Sequence, residues 1–332
     1  MTQRLTSAQI FQEAVGLLKA MNRPVAVLGH LRPDGDCIGA QIALCRYLRL
    51  LGIEAVCVNT HAIPRNLQGL VADTPFVTGK EWTPQNHVGV AVDCSDHARM
   101  GDRLKELMPE IFLCIDHHRS NPGFAAFDIV ERESSATCEI LSELLLPIKN
   151  AVDAVSAQAL YVGIATDTGQ FQYPSTTARV FELACELNKR GANPAQAAQE
   201  LYEQERFGKI QLLERFLHTL SLRFDGQLCV GTLTQEDYDR TNSAREDSEG
   251  FVNYPRSLQG VKIAAVLEES GGMVKGSLRA RDPLYCVDKL AANFGGGGHA
   301  AAAGFTVEGA TLETFYPLFL KTAQAHLSQY CS

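Results

Sequence analysis

The chain has 332 residues, 45% hydrophobic and 20% charged, with a formal net charge of −8. That length suits two domains with a sizeable core each, and the acidic balance argues against wrapping long nucleic acid, which needs a broad basic face. Met1 to Ala14 has no apolar h-region, no apolar run approaches membrane-spanning length, and the ten cysteines include no Cys-x-x-Cys pair; a cytoplasmic protein with reduced, mostly buried thiols is expected.

The first periodic segment, Gln9 to Met21, predicts an amphipathic helix. Val25 to Leu28 is a short apolar run that suits a strand buried on both faces. Gly29 ends it, Pro33 and Gly35 force a turn, and apolar residues recur at helical spacing from Ile38 to Leu51. His30, Asp34 and Asp36 therefore fall in a strand-to-helix loop, where open α/β sheets place their ligands. Asp34 and Asp36 flank a glycine, and their carboxylates would repel unless a cation lies beside them. A plain β-turn with Asp36 as the helix N-cap accounts for the same residues without a metal. Glu54 to Val58 reads as the second strand, and the lone His61 beyond it as a surface or packing residue.

Val88 to Val92 is a third apolar strand, and it ends on Asp93. Charges are rarely buried unless paired or bound to metal. Arg99, just beyond, reads as a solvated cation or as a holder of phosphate. Ile111 to Ile115 is a fourth strand, ending on Asp116-His117-His118-Arg119, the third strand end to finish in metal-type ligands. Neighbours in an extended segment point to opposite sides, so one histidine is expected on a metal and the other toward substrate. The hydroxyl-rich start at Ser134 to Thr137 reads as helix capping. Ala157 to Ala165, rich in small residues, is a helix or strand that delivers Asp167. A helical stretch from Ala195 to about Ser221 reads as a connector between domains or equally as packed core.

From Phe224 the pattern turns to shorter strands, at Leu228 to Leu233, Val261 to Glu268 and Met273 to Ala280. In the last, Val274, Gly276, Leu278 and Ala280 face one way; Lys275, Ser277, Arg279 and Arg281 face the other, as a solvated face or a phosphate-binding stripe. Gly295 to Gly298 and His299 follow a predicted helix. Glycines inside patterned structure cost conformational entropy, and their N–H groups can approach a phosphate closely, so a ligand loop is expected.

Together, His30-Leu31-Arg32-Pro33-Asp34-Gly35-Asp36, Asp93, Asp116-His117-His118, Thr166-Asp167-Thr168-Gly169 and the tail Gly295-Gly296-Gly297-Gly298-His299 resemble the DHH phosphoesterase superfamily with its DHH-associated C-terminal domain. Glu249 to Asn253 and Lys275 to Arg279 are similar to the branch of bifunctional oligoribonucleases that also dephosphorylate 3′-phosphoadenosine 5′-phosphate (pAp). The resemblance implies an α/β chain with a parallel-sheet DHH domain over residues 1–190, a helical connector over 191–222 and a smaller C-terminal α/β domain over 223–332.

It further implies two divalent cations sharing Asp93, one on His30, Asp34 and Asp93, the other on Asp36, Asp93, His117 and Asp167. A donor set without sulfur suits Mn²⁺, with Mg²⁺ or Co²⁺ as alternatives. A hydroxide bridging the two ions would attack phosphorus in line. His118 would contact the scissile phosphate or assist the leaving oxygen, and Asp116 would orient a histidine. Arg99, Lys275, Ser277, Arg279, Gly296, Gly297, Gly298 and His299 would grip the rest of a short RNA or phosphorylated adenosine substrate, with no role for long duplexes or membranes; a homodimer is compatible with this. Competing readings are a manganese pyrophosphatase, a longer-strand exonuclease, a phosphodiesterase for cyclic or linear dinucleotides and, from another class, a non-catalytic nucleotide- or RNA-binding module.

Overall fold

The computed structural model describes residues 5–330, which leaves Cys331 outside it. It divides into two compact units, residues 1–204 and 205–332. In the first, α1 (Ser7–Met21) is closed at its N-terminus by a capping box between Thr6 and Gln9. There follow β1 (Val25–Leu28), α2 (Gly35–Leu50), β2 (Ala55–Asn59), β3 (Phe76–Thr78), β4 (Val88–Val92), α3 (Asp102–Leu107), β5 (Ile111–Asp116) and β6 (Phe127–Val130). Helices α4 (Thr137–Leu145), α5 (Ala154–Asp167), α6 (Ala178–Lys189) and α7 (Pro194–Tyr202) complete the unit.

Its sheet is wholly parallel, in the order β3-β2-β1-β4-β5-β6. Val25 and Val27 of β1 pack into a large core with α1, α2, α4, α5 and α6. Ala26 and Leu28 point into a second core, roofed by Leu104 of α3 and Met100. Both faces are covered, as a parallel sheet requires, which is why β1 and β4 read as unbroken apolar runs.

The second unit holds α8 (Phe207–His218), β7 (Ser221–Arg223), β8 (Leu228–Leu233), α9 (Gln235–Thr241), α10 (Asn253–Ser257), β9 (Ile263–Ser270) and β10 (Met273–Ala280). It ends with α11 (Val287–Ala292), β11 (Gly297–His299), β12 (Ala302–Glu308) and α12 (Leu312–Leu327). Its sheet runs β11-β12-β10-β9-β8-β7, mixed because β8 and β9 pair in parallel. Val274 and Leu278 of β10 enter the core made with α11 and α12, and the alternation expected over Met273–Ala280 is observed.

Three expectations shift. Helix α2 begins at Gly35, because Asp34 is its N-cap and Asp36 already lies in its first turn. Residues 191–222 are not one connector: α7 buries Ala197 against Ile38 and Leu67 in the first unit, and α8 buries Leu212 and Phe216 in the second. The glycine run, expected as a loop, is in part a strand: Gly297, Gly298 and His299 pair with Gly304, Ala303 and Ala302 at the sheet edge. A Cβ on Gly296 would lie 2.2 Å from Gly304 O, so that glycine is required by packing. Among the described residues no helix is long and apolar enough to cross a membrane, and all nine cysteines are free, seven of them buried.

Candidate metal centre

Strand β1 lies between β2 and β4, and the chain leaves it in one direction for β2 and later returns on the other side as β4. The carboxyl ends of β1 and β4 therefore flank a topological switch point, the crevice in which such sheets bind ligands. His30 follows β1, Asp93 follows β4 and Asp116 closes β5. Asp93 takes a left-handed backbone, φ 56°, an uncommon conformation for a non-glycine residue.

The side chains converge on Asp93, which is 2% exposed. One of its oxygens, Oδ2, lies 3.2 Å from His30 Nε2; the other, Oδ1, lies 3.6 Å from His117 Nε2 and accepts a hydrogen bond from Thr137 Oγ1 at 3.2 Å. His117 Nε2 is also 3.3 Å from Asp167 Oδ2, and His30 Nε2 is 3.7 Å from Asp34 Oδ1. Each histidine is turned by its other nitrogen: His30 Nδ1 meets Leu31 O at 2.7 Å and His117 Nδ1 meets Ser134 O at 3.3 Å. With Nδ1 engaged by a carbonyl, Nε2 is the ring nitrogen left to face a cation. Two such nitrogens aimed among four carboxylates form a donor set that fits divalent cations.

Asp36 is held differently. It is fully buried, and its two oxygens accept the backbone N–H groups of Thr137 (2.7 Å) and Cys138 (2.8 Å) at the start of α4. The hydroxyl-rich start of α4 is thus capped from α2 rather than by its own side chains, and Thr137 serves Asp93 instead. Gly163 of α5 makes the room, since a Cβ there would lie 2.9 Å from Asp36 Oδ1. His118 Nδ1 donates to Asp116 Oδ1 at 2.7 Å, while Asn121 Nδ2 donates to Asp116 Oδ2 at 2.7 Å. His118 Nδ1 also lies 3.7 Å from Asp93 Oδ1, the oxygen that His117 approaches, so both histidines adjoin Asp93 while only His118 is bonded to Asp116.

The charges are mutually strained. Burial, and then the charge of Asp93, push the Asp36 carboxyl well above the usual carboxylate range. Burial and the charges of Asp36 and Asp93 push Asp167 up to about 10. Burial alone would lower the pKa of His30, but its contacts with Asp34 and Asp93 reverse this and raise it. The hydrogen bond that His118 donates to Asp116 raises the histidine's own pKa. Burial works against ionisation of Asp116, yet the hydrogen bonds from His118 and Asn121 hold it below the usual range. Carboxylates forced toward neutrality by one another are what an added cation relieves.

A cavity of about 560 Å³ adjoins these groups, lined by His117, His118, Arg119, Arg132, Asp167 and Thr177. Arg99 is exposed on the short 3₁₀ turn His97–Met100; its carbonyl receives Leu31 N–H at 2.6 Å and its charge bears on His118. His61, exposed, receives Arg32 N–H on Nδ1 at 3.1 Å and so holds the loop after His30. In the second unit Lys275 lies 3.7 Å from buried Glu268, its register partner, and Arg279 is depressed by burial and by the nearby charge of Arg256. His299 is exposed on β11. Sequence reasoning missed Thr137, Asn121 and Cys37. Cys37 Sγ, a ring nitrogen of His30 and an Asp93 oxygen all lie within 4.8 Å of one another.

Residues 24–164 match the DHH family N-terminal domain and residues 225–329 match the DHHA1 domain. With its histidines and aspartates gathered at the switch point of a parallel sheet, the chain belongs to the DHH phosphoesterase family, in the branch that carries a DHHA1 domain. It is 30% identical over 313 residues to the bifunctional oligoribonuclease and PAP phosphatase NrnA of Thermus thermophilus, covering 94% of this chain and 93% of that protein. An exopolyphosphatase-related protein from Bacteroides fragilis has the same fold, with TM-score 0.83, 24% identity and 96% of each chain covered. The exonuclease RecJ bound to manganese shares the fold more distantly, at TM-score 0.55 and 16% identity over 98% of this chain and 95% of that one.

Proposed function

We propose that the protein is a divalent-cation-dependent phosphohydrolase that degrades very short RNA to mononucleotides and removes a phosphate from pAp. The observation that carries this is Asp93, whose two buried oxygens face different histidines, His30 and His117, as a carboxylate shared by two cations would. His30, Asp34 and Asp93 would hold one ion, and Asp36, Asp93, His117 and Asp167 the other. Manganese suits the oxygen and imidazole donors, and RecJ, of the same fold, binds it. The ions, when bound, acidify water and neutralise charge on the phosphoester.

The chain's own residues supply the remainder. Asp116 turns His118 through Nδ1, leaving Nε2 to hold a proton for the departing oxygen. Asn121 fixes Asp116 from its other side. Arg99, on the His97–Met100 turn that Asp96 caps and whose carbonyl receives Leu31 N–H, has a charge that bears on His118 and would take a phosphate oxygen. In the second unit, Lys275, Ser277, Arg279, His299 and the N–H groups of Gly296, Gly297 and Gly298 would bind the substrate's remaining phosphate or base. The name of the Thermus thermophilus relative supports both substrates.

One product assay with Mn²⁺ tests the reading: pAp, short RNA oligomers, linear and cyclic dinucleotides and pyrophosphate, each beside a chelated control. Release of phosphate from pAp and mononucleotides from short RNA, abolished by chelator, is expected. Hydrolysis of pyrophosphate or cyclic dinucleotides alone would overturn the substrate assignment.

A further inference from the structure

The donor set contains one side chain that the phosphohydrolase reading does not use. Cys37 occupies the first turn of α2, where its N–H donates to Asp34 Oδ1 at 3.1 Å. Its sulfur is fully buried and lies with a ring nitrogen of His30 and an Asp93 oxygen inside a 4.8 Å span, the spacing of groups that surround one ion. Two nearby buried thiols are committed elsewhere: Cys138 donates to Asp36 O, and Cys114 donates to Cys94 O. Cys37 instead faces the His30 ring and the Asp93 carboxylate.

The packing around the sulfur is built for it. A Cβ on Gly29 would come within 2.5 Å of Cys37 Sγ and 2.6 Å of Asn59 Oδ1, so the bare backbone of that glycine clears the space for both. Asn59 is 2% exposed, and neither atom of its amide has a hydrogen-bond partner. A buried amide left unpaired costs free energy. A neutral thiol offers a nearby amide little, whereas a metal-bound thiolate would add an acceptor to the space that Cys37 and Asn59 share beside Gly29.

We propose that Cys37 supplies its sulfur as a further donor to the cation held by His30, Asp34 and Asp93, giving this half of the centre a preference for Co²⁺ or Zn²⁺ over Mn²⁺. The inference rests on the metal-centre reading above. On binding, the thiol gives its proton to solvent and a metal–sulfur bond forms; no oxidant or reductant is involved. Thiolate is a soft donor and selects borderline ions over the hard oxygen-seeking ones.

Cobalt reports this directly. Metal-free wild-type protein titrated with Co²⁺ should develop a sulfur-to-cobalt charge-transfer band in the near ultraviolet beside its visible d–d bands. Cys37→Ala should keep the d–d bands, lose the charge-transfer band, and shift the Zn²⁺-to-Mn²⁺ affinity ratio about tenfold or more toward Mn²⁺. Visible bands without charge transfer in the wild type, or a band that persists in Cys37→Ala, overturn the role of Cys37 and leave the metal centre standing. Absence of any cobalt binding overturns the centre itself. Should Cys37→Ala fail to fold, ¹¹³Cd NMR of the wild type decides: a resonance in the sulfur-coordinated range supports the assignment, and one in the oxygen–nitrogen range refutes it.

Discussion

Asp116→Asn separates the proton-holding role of His118 from cation binding. Asp116 is fully buried, and its two oxygens receive His118 Nδ1 and Asn121 Nδ2, each at 2.7 Å. Asparagine keeps the shape and removes the charge. A hydrogen bond to a charged group at this distance contributes about 1.5–3 kcal/mol, and in the wild type it is the first cause of the raised His118 pKa. If protonated His118 serves the leaving oxygen, losing that stabilisation lowers kcat by about 10- to 150-fold at mildly alkaline pH. Activity should then fall away at lower pH than in the wild type, because His118 gives up its proton earlier. The assay is kcat against pH on pAp with saturating Mn²⁺, with metal content measured in parallel. A variant that holds its metal and shows an unchanged profile would refute the role given to His118 and Asp116.

Without metal, stability should fall as pH rises. Asp36 and Asp167 carry folded-state pKa values raised above those of the unfolded chain, and so do His30 and His118. The folded protein therefore holds extra protons from about pH 4 upward, and each costs about 1.4 kcal/mol per pH unit as it is withdrawn. Tm in chelator should drop between about pH 5.5 and 8.5, and Mn²⁺ should flatten the slope; a flat or rising Tm in chelator contradicts the strained-carboxylate picture. Arg279→Ala should raise KM about tenfold or more with kcat nearly kept, and an unchanged KM removes the anchoring role from β10. Gly163→Ala would drive a methyl to within 2.3 Å of Cys138 Sγ and 2.9 Å of Asp36 Oδ1. It should cost about 1–3 kcal/mol in denaturant unfolding, partly recovered in Gly163→Ala/Cys138→Ala; the same loss in the double variant would place the strain elsewhere.

What could be read from the sequence followed its local rules. Unbroken apolar strands ending on His30, Asp93 and Asp116 announce a parallel sheet with polar groups at its carboxyl edge, and the alternation over Met273–Ala280 fixes which side of β10 is buried. What could not be read was set by contacts between distant segments. No local pattern says that Asp36 caps α4, because that bond joins positions 101 residues apart. The hydroxyls of Ser134 to Thr137 fitted a self-capped helix, but Thr137 is drawn to Asp93. Cys37 sits one residue from Asp36, yet only the turn of α2 directs its sulfur toward His30. The glycine run suggested a loop; crowding at Gly296 and pairing of Gly297 to His299 with β12 make it an edge strand.

Metal stoichiometry in wild type and Asp93→Ala, read by elemental analysis after equilibration with Mn²⁺ and paired with turnover on pAp, bears most directly on the shared carboxylate. The wild type should hold two ions per chain and turn over; the variant, losing the oxygens that face both His30 and His117, should hold at most one and be inactive. Two retained ions, or full turnover restored by added Mn²⁺, would contradict a centre organised around Asp93.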